Sequence, residues 1–220
     1  MPKTISEQLF EALCSARSVP CRRIPEGVVK TADYEILLDP TNVITEVKQL
    51  DQNQADKEME AALGRGAGPG AIAPSDRVQQ QISDAYPQLK RSSEGKLPTM
   101  VVLYNNAGLH NWIDSWTVSK AMFGSFGFTL AKTPDDRIVV TKQGYMGERK
   151  VTQDTCRALS VVAVINNPSS GEITLDAYHN PFATIPINPK LLSRLASKQY
   201  QHPSPHSGNM VSWEPLKLET

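Results

Sequence analysis

Two apolar runs separated by a turn constrain the fold of this chain most. The runs cover residues 33–38 and 43–48, and the Asp-Pro-Thr-Asn segment at 39–42 has the residue types of a tight turn. These features predict a β-hairpin over residues 33–49. Folding the chain about a four-residue turn pairs Leu38 with Val43, Glu35 with Glu46, and Asp33 with Lys48.

Three charged side chains converge on one face of this predicted hairpin. Side chains alternate between the two faces of a strand, so Glu46 and Lys48 share a face. Asp33 joins them because cross-strand partners lie on the same face. Glu35 is predicted on that face too, opposite Glu46. An acid at the start of one strand and Glu-x-Lys at the end of the next are what metal-assisted phosphodiester cleavage requires.

Residues 32–34 (Ala-Asp-Tyr) and 46–48 (Glu-Val-Lys) resemble the motif of the PD-(D/E)xK nuclease superfamily, which has the restriction-endonuclease-like fold. Ala32 replaces a proline that is usual in the motif and is not a metal ligand. From residue 4 to about 105, and more loosely to 183, the layout resembles uncharacterised bacterial members. The resemblance implies an α/β fold in which helices flank a central mixed sheet, with elements in the order α-β-β-β-α-β.

The resemblance also implies a chemistry. Asp33, Glu46 and the backbone carbonyl of Val47 would hold Mg²⁺, or Mn²⁺ in its place, and Lys48 would orient or activate the attacking water. The expected reaction is hydrolysis of phosphodiester bonds in DNA, by either endo- or exonucleolytic cleavage. RNA stays open as a substrate, and a homodimer would suit paired cuts in a duplex.

Two further residues are candidates for the site. Glu7 and Glu11 lie one turn apart on the first predicted helix, and Glu7 has capping-box spacing from Thr4. Glu11 is therefore the better site candidate of the two, although a solvated side chain explains it equally simply. Gln88, on a later helix, matches a glutamine that some branches of the superfamily place near the site. A polar helix face is the alternative explanation, since other glutamines precede it.

Periodicity predicts most of the remaining elements. Residues 1–200 are expected to form one nuclease-like domain, and residues 201–220 a weakly ordered tail. The Gly-rich segment at 64–74 is expected to be a mobile loop. Helices are predicted over residues 5–17 and 54–63, from 75 to about 90, and over 189–197; strands are predicted at 21–24, 99–104, 137–141, 160–165 and 172–178.

Composition adds expectations about location and partners. No stretch approaches the ~20 apolar residues of a membrane span, no secretory signal is visible, and three cysteines without metal-ligand spacing indicate reduced thiols. We therefore expect a cytoplasmic protein with no membrane contact. Lys plus Arg and Asp plus Glu balance at 23 each, so net charge does not favour nucleic-acid binding. This keeps an alternative open: a catalytically inactive nuclease-like fold that binds nucleic acid or a protein partner. A third possibility is a partner surface formed by the aromatic residues between 112 and 128.

Overall fold

The computed structural model describes residues 3–66, 75–108, 113–167, 171–203 and 213–217. The fold is α/β, with a large mixed sheet flanked by helices. Residues 67–74 of the predicted Gly-rich loop lie outside this described part. The helices are α1 (Ile5–Ala16), α2 (Gln54–Gly64), α3 (Ser75–Ser93), α4 (Ser115–Phe123) and α5 (Pro189–Leu192). The strands are β1 (Cys21–Arg23), β2 (Tyr34–Leu38), β3 (Thr41–Asp51), β4 (Thr99–Asn106), β5 (Ser125–Lys132), β6 (Ile138–Met146), β7 (Val161–Asn166), β8 (Thr174–His179), β9 (Lys198–Gln201) and β10 (Glu214–Pro215).

Eight strands form the main sheet in the order β1-β2-β3-β4-β7-β8-β9-β10. Strands β3, β4 and β7 run parallel to one another, and β1 and β2 are antiparallel additions at one edge. Along the chain α1 precedes three strands, two helices follow, and β4 comes next. The predicted hairpin of residues 160–165 and 172–178 is confirmed as the antiparallel pair β7–β8.

The β2–β3 hairpin forms, but its register differs from the predicted one. Leu38 pairs with Thr41 and Ile36 with Val43, so only Asp39 and Pro40 lie between the strands. The expected pairing of Leu38 with Val43 is wrong by two residues. Thr41 is a β-branched residue that extends β3 rather than the turn. A shift of two residues leaves every side chain on its original face, so the predicted facing of the charged residues is unchanged.

Each face of the sheet carries its own hydrophobic core. Alternate residues of β2 and β3, including Tyr34, Ile36 and Val47, pack on the face that α1 covers. The intervening residues, including Ile44 and Leu50, pack on the other face with α3 and α4. Central strands β4 and β7 are buried on both sides, as their nearly continuous apolar sequences predict.

Strands β5 and β6 form a separate two-stranded ribbon. Phe126 and Tyr145 pair at its base, with their rings 5.5 Å apart, and Tyr145 belongs to the core. Farther out, Phe128 is 61% exposed and Ile138 is 70% exposed, so the aromatic-rich region is only partly core. Trp112, from the same predicted region, lies outside the described residues.

The C-terminal segment contributes to the domain where it is described. Trp213 is buried in the core shared by α3 and α4, and β10 pairs with β9. The segment predicted to be a weakly ordered tail thus adds a strand and a core residue. Among the described residues, no helix combines the length and apolar character that crossing a membrane requires.

Candidate functional site

Asp33, Glu46 and Lys48 meet beside the middle of β3, and they are called the acidic site below. The Lys48 ammonium lies 2.6 Å from Glu46 Oε1. Asp33 Oδ2 accepts a hydrogen bond from the backbone N–H of Val47 at 2.8 Å. Extending the ladder one pair beyond Tyr34 and Thr45 places Asp33 opposite Glu46. The register shift therefore makes the two acids direct neighbours, whereas the predicted register paired Asp33 with Lys48.

The acidic site is assembled where β2 begins. Asp33 comes just before the first paired residue of β2, so its carboxylate occupies the space beside Val47 that a further strand residue would fill. A strand residue directs its N–H and its C=O to the same side. The carbonyl of Val47 therefore lies on the same side of β3 as Asp33, as its predicted place among the oxygen ligands requires.

Burial controls the charges in this site. Glu46 is only 2% exposed, and this desolvation raises its pKa to about 7, with the nearby Asp33 charge adding to the rise and Lys48 opposing it. Burial likewise raises the pKa of Asp33, although the N–H of Val47 and the charge of Lys48 lower it. Burial thus disfavours the charged form of both acids; Asp33 further raises the pKa of Glu46, whereas contact with Glu46 lowers the pKa of Asp33.

One oxygen of Glu46 has no partner of ordinary hydrogen-bond geometry. Oε1 contacts Lys48, whereas the buried Oε2 has no hydrogen-bond partner among the described residues. An unsatisfied buried carboxylate oxygen costs free energy. A cation bound between Glu46 and Asp33 would satisfy this oxygen and stabilise both charges, so the donor set fits a hard divalent ion.

The described part of the chain contains no group of three or more His, Cys, Asp or Glu side chains suited to holding a metal. This limits what the acidic site can supply to two carboxylates and the Val47 carbonyl. Mg²⁺ commonly binds through one or two carboxylates and keeps several waters. The donor set is therefore small but consistent with Mg²⁺ or Mn²⁺.

Glu11 lies away from the acidic site. Its carboxylate accepts a hydrogen bond from the Tyr34 hydroxyl at 2.9 Å and pairs with Lys3 at 2.6 Å. Tyr34 packs on the α1 face of the sheet, whereas Glu46 follows the alternation of β3 to the other face. The structure thus surrounds Glu11 with its own partners and does not bring it to Asp33 and Glu46.

Glu7 is the acid of α1 that acts on the acidic site. Its Oε2 accepts from the Thr4 backbone N–H at 2.7 Å in the predicted capping box, while its Oε1 pairs with Arg23 at 3.0 Å. The charge of Glu7 contributes to the raised pKa of Asp33. Capping uses only one carboxylate oxygen of Glu7. Its capping-box position was therefore not a reason to prefer Glu11 as the residue near the site.

Gln88 is buried on α3, and its Nε2 donates to the Asp84 carbonyl at 3.1 Å. Ser92 is four residues farther along and therefore shares a helix face with Gln88. Ser92 Oγ accepts from the backbone N–H of Ala32 at 2.9 Å, next to Asp33 in the chain. Gln88 thus lies one turn from the contact that anchors Asp33, on the same face of the helix.

Glu35 does not lie directly opposite Glu46. The observed register places Glu35 opposite Ile44, and its carboxylate forms an ion pair with Arg22. Its predicted position across from Glu46 is therefore wrong, because the turn is two residues shorter than predicted and the pairing shifts by two residues.

Comparison with known proteins identifies no relative: no family model matches the chain, and no curated protein or solved structure matches it significantly.

Proposed function

We propose that this protein is a metal-dependent nuclease of the PD-(D/E)xK type, with a restriction-endonuclease-like core, that hydrolyses phosphodiester bonds in DNA. The observation that carries the proposal is that buried Glu46 and half-buried Asp33 lie next to each other and to one lysine at the acidic site. Glu46 has a raised pKa and an unsatisfied oxygen, which is the state of a carboxylate that needs a cation.

Each residue would have a defined role. Asp33, Glu46 and the Val47 carbonyl would hold Mg²⁺ or Mn²⁺, which supplies a polarised phosphoryl oxygen and an acidified water when bound. Glu46 would give up its proton to become a ligand. Lys48, beside Glu46, would stabilise negative charge on the attacking oxygen.

Exposed basic residues next to the site support a polyanionic substrate. Lys90 and Arg91 are exposed in the last turn of α3, and the Arg91 guanidinium donates to the carbonyl of exposed Lys30. These three residues flank Ala32 and Ser92, whose contact positions Asp33. Lysine and arginine side chains of this kind bind nucleic-acid phosphates. The balanced charge of the whole chain is therefore compatible with a local basic surface beside the acids.

The test combines metal titration with cleavage of plasmid and single-stranded DNA. Wild type should bind Mn²⁺ or Mg²⁺ and cut DNA, whereas Asp33→Asn should bind the metal weakly and cut little. Lys48→Met should retain metal binding and lose cleavage, because Lys48 is not a ligand. Glu35→Gln is the matched control, since its carboxylate lies on the same hairpin but pairs with Arg22. Equal cleavage by wild type and Asp33→Asn would contradict the proposal.

The β5–β6 ribbon favours a second candidate, an inactive nuclease-like fold that binds a protein partner. Phe128, Leu130, Val140 and Ile138 form an apolar face of the ribbon, and each is more than half exposed. Such a face is typical of an interaction surface. Metal binding without cleavage of DNA or RNA, together with loss of partner binding in Phe128→Ser, would favour this candidate.

A further inference from the structure

Two cysteines from neighbouring elements lie in contact in the α1-side core. Cys14 is fully buried on α1, and Cys21 is the half-buried first residue of β1. Contact with the other thiol is the largest influence on the pKa of each. A tight connection holds them together, because the Val19 N–H donates to the Cys14 carbonyl at 2.9 Å.

The two thiols differ in access and in acidity. Cys21 is half-buried, whereas Cys14 has no exposed surface. The contact with Cys14 lowers the pKa of Cys21, while the same contact and burial raise the pKa of Cys14. Cys21 is therefore the thiol that a small oxidant reaches first. Cys14 is the neighbouring thiol that can react with the oxidised Cys21.

We propose that Cys14 and Cys21 form a redox modification site that closes to an intramolecular disulfide when a small hydroperoxide reaches half-buried Cys21. The Cys21 sulfur attacks one peroxide oxygen, the O–O bond breaks, and the leaving oxygen takes the thiol proton and departs as water in the case of hydrogen peroxide. Cys21 is then a sulfenic acid. The Cys14 sulfur attacks the Cys21 sulfur, the S–O bond breaks, and a second water carries away the Cys14 proton. The two thiols lose two electrons, and the peroxide is reduced to two waters.

The third cysteine provides an internal control. Cys156 packs against the opposite core, on the far side of the sheet from Cys14 and Cys21. Burial raises the pKa of Cys156 to about 11, so it is a poor nucleophile at neutral pH. Oxidation should therefore consume two of the three free thiols and spare this one.

The experiment treats the reduced full-length protein with a small excess of hydrogen peroxide, alkylates the remaining thiols after denaturation, and maps the peptides by mass spectrometry. We expect one alkylated cysteine, Cys156, and a peptide joining Cys14 to Cys21 that reduction by dithiothreitol releases. Three alkylated cysteines, or oxidation of Cys156 before the pair, would overturn the proposal.

Variants separate the two roles. Cys14→Ala should stop at a Cys21 sulfenic acid that dimedone traps, and Cys156→Ser should form the disulfide as wild type does. A Cys14→Ala protein with unmodified Cys21 would also count against the proposed order of attack. If Cys14→Ala fails to fold, the wild-type peptide map in the native and urea-unfolded states replaces it: selectivity for the pair should appear only in the native state. These readouts use no DNA cleavage, so they stand or fall independently of the nuclease proposal.

Discussion

Two carboxylates on opposite faces of the same sheet have opposite electrostatic environments. Glu11, on the α1 side, has its pKa lowered by Lys3 first and by the Tyr34 hydroxyl as well. Glu46, on the other side, has its pKa raised to about 7 because it is buried beside Asp33. Glu11 already has the partners that an anion needs. Glu46 has Lys48 as a partner on one oxygen only, and the unsatisfied second oxygen is the reason for proposing a cation site there.

The largest difference between the two carboxylates is expected in cleavage. Glu46→Gln removes a charged ligand but keeps the side-chain shape, so DNA cleavage in saturating Mg²⁺ should fall by about 100-fold or more. Glu11→Gln should cut at nearly the wild-type rate, because Glu11 lies on the other face. Plasmid-nicking rates measure both. Similar losses of cleavage in the two variants would show that Glu46 has no role that Glu11 lacks.

Stability should respond to pH with opposite signs at the two positions. The pKa of Glu46 is higher in the folded state than the ordinary value of 4.5, so its stabilisation is present below pH 4.5 and is lost as pH rises through about 7. The stability of Glu46→Gln relative to wild type should therefore increase by up to about 3 kcal/mol between pH 4 and pH 8.

Glu11 has a lowered pKa, so its stabilisation is present above pH 4.5 and is lost as pH falls. Glu11→Gln should be less stable than wild type at pH 7, by less than about 1 kcal/mol because this ion pair is solvated. Urea unfolding at several pH values measures both variants. A pH-independent difference for Glu46→Gln would show that packing, and not ionisation, controls its stability.

Metal affinity should depend on pH through Glu46. The carboxyl must lose its proton before it binds a cation, so the affinity for Mn²⁺ should rise by up to about tenfold per pH unit below pH 7 and level off above it. Calorimetry in buffers of different ionisation enthalpy would measure the released proton. Glu11→Gln should show the wild-type slope. A flat profile in wild type would mean that Glu46 is not a ligand.

The smallest effect concerns the hydroxyl of Tyr34. Tyr34→Phe removes the hydrogen bond to Glu11 and should cost about 1 kcal/mol of unfolding free energy. Metal affinity and cleavage should not change, because the hydroxyl lies on the α1 face. Chemical denaturation and Mn²⁺ titration of the same protein preparation test this. A loss of metal affinity would show that the two faces are coupled.

The sequence predicted the hairpin and the face on which its charged side chains lie. It did not predict which residues lie opposite each other across the two strands. Alternation fixes the face of Asp33, Glu46 and Lys48, and a two-residue slip in register leaves that face unchanged. The length of the turn decided which acid lies opposite which, and the composition of residues 39–42 allows more than one turn. The adjacency of Asp33 and Glu46 therefore required the structure.

The acids of α1 show a second limit. Helical spacing places Glu7 and Glu11 on one side of α1, but it does not say how α1 lies across the sheet. The packing of Phe10 against Tyr34, with their rings 5.5 Å apart, brings Glu11 to the Tyr34 hydroxyl. Glu7, one turn earlier, reaches Arg23 instead. Long-range packing of this kind leaves no periodic signal in one sequence.

The hydrogen bond from the Val47 N–H to Asp33 continues the backbone ladder by one rung through a side chain that is also the proposed metal ligand. Two substitutions at this position can therefore separate loss of metal binding from loss of the backbone hydrogen bond. Asp33→Asn keeps an acceptor for the amide and discards the charge, whereas Asp33→Ala discards both. A descendant of this chain that abandoned catalysis but kept its architecture would be expected to carry an amide at position 33 and not a methyl group.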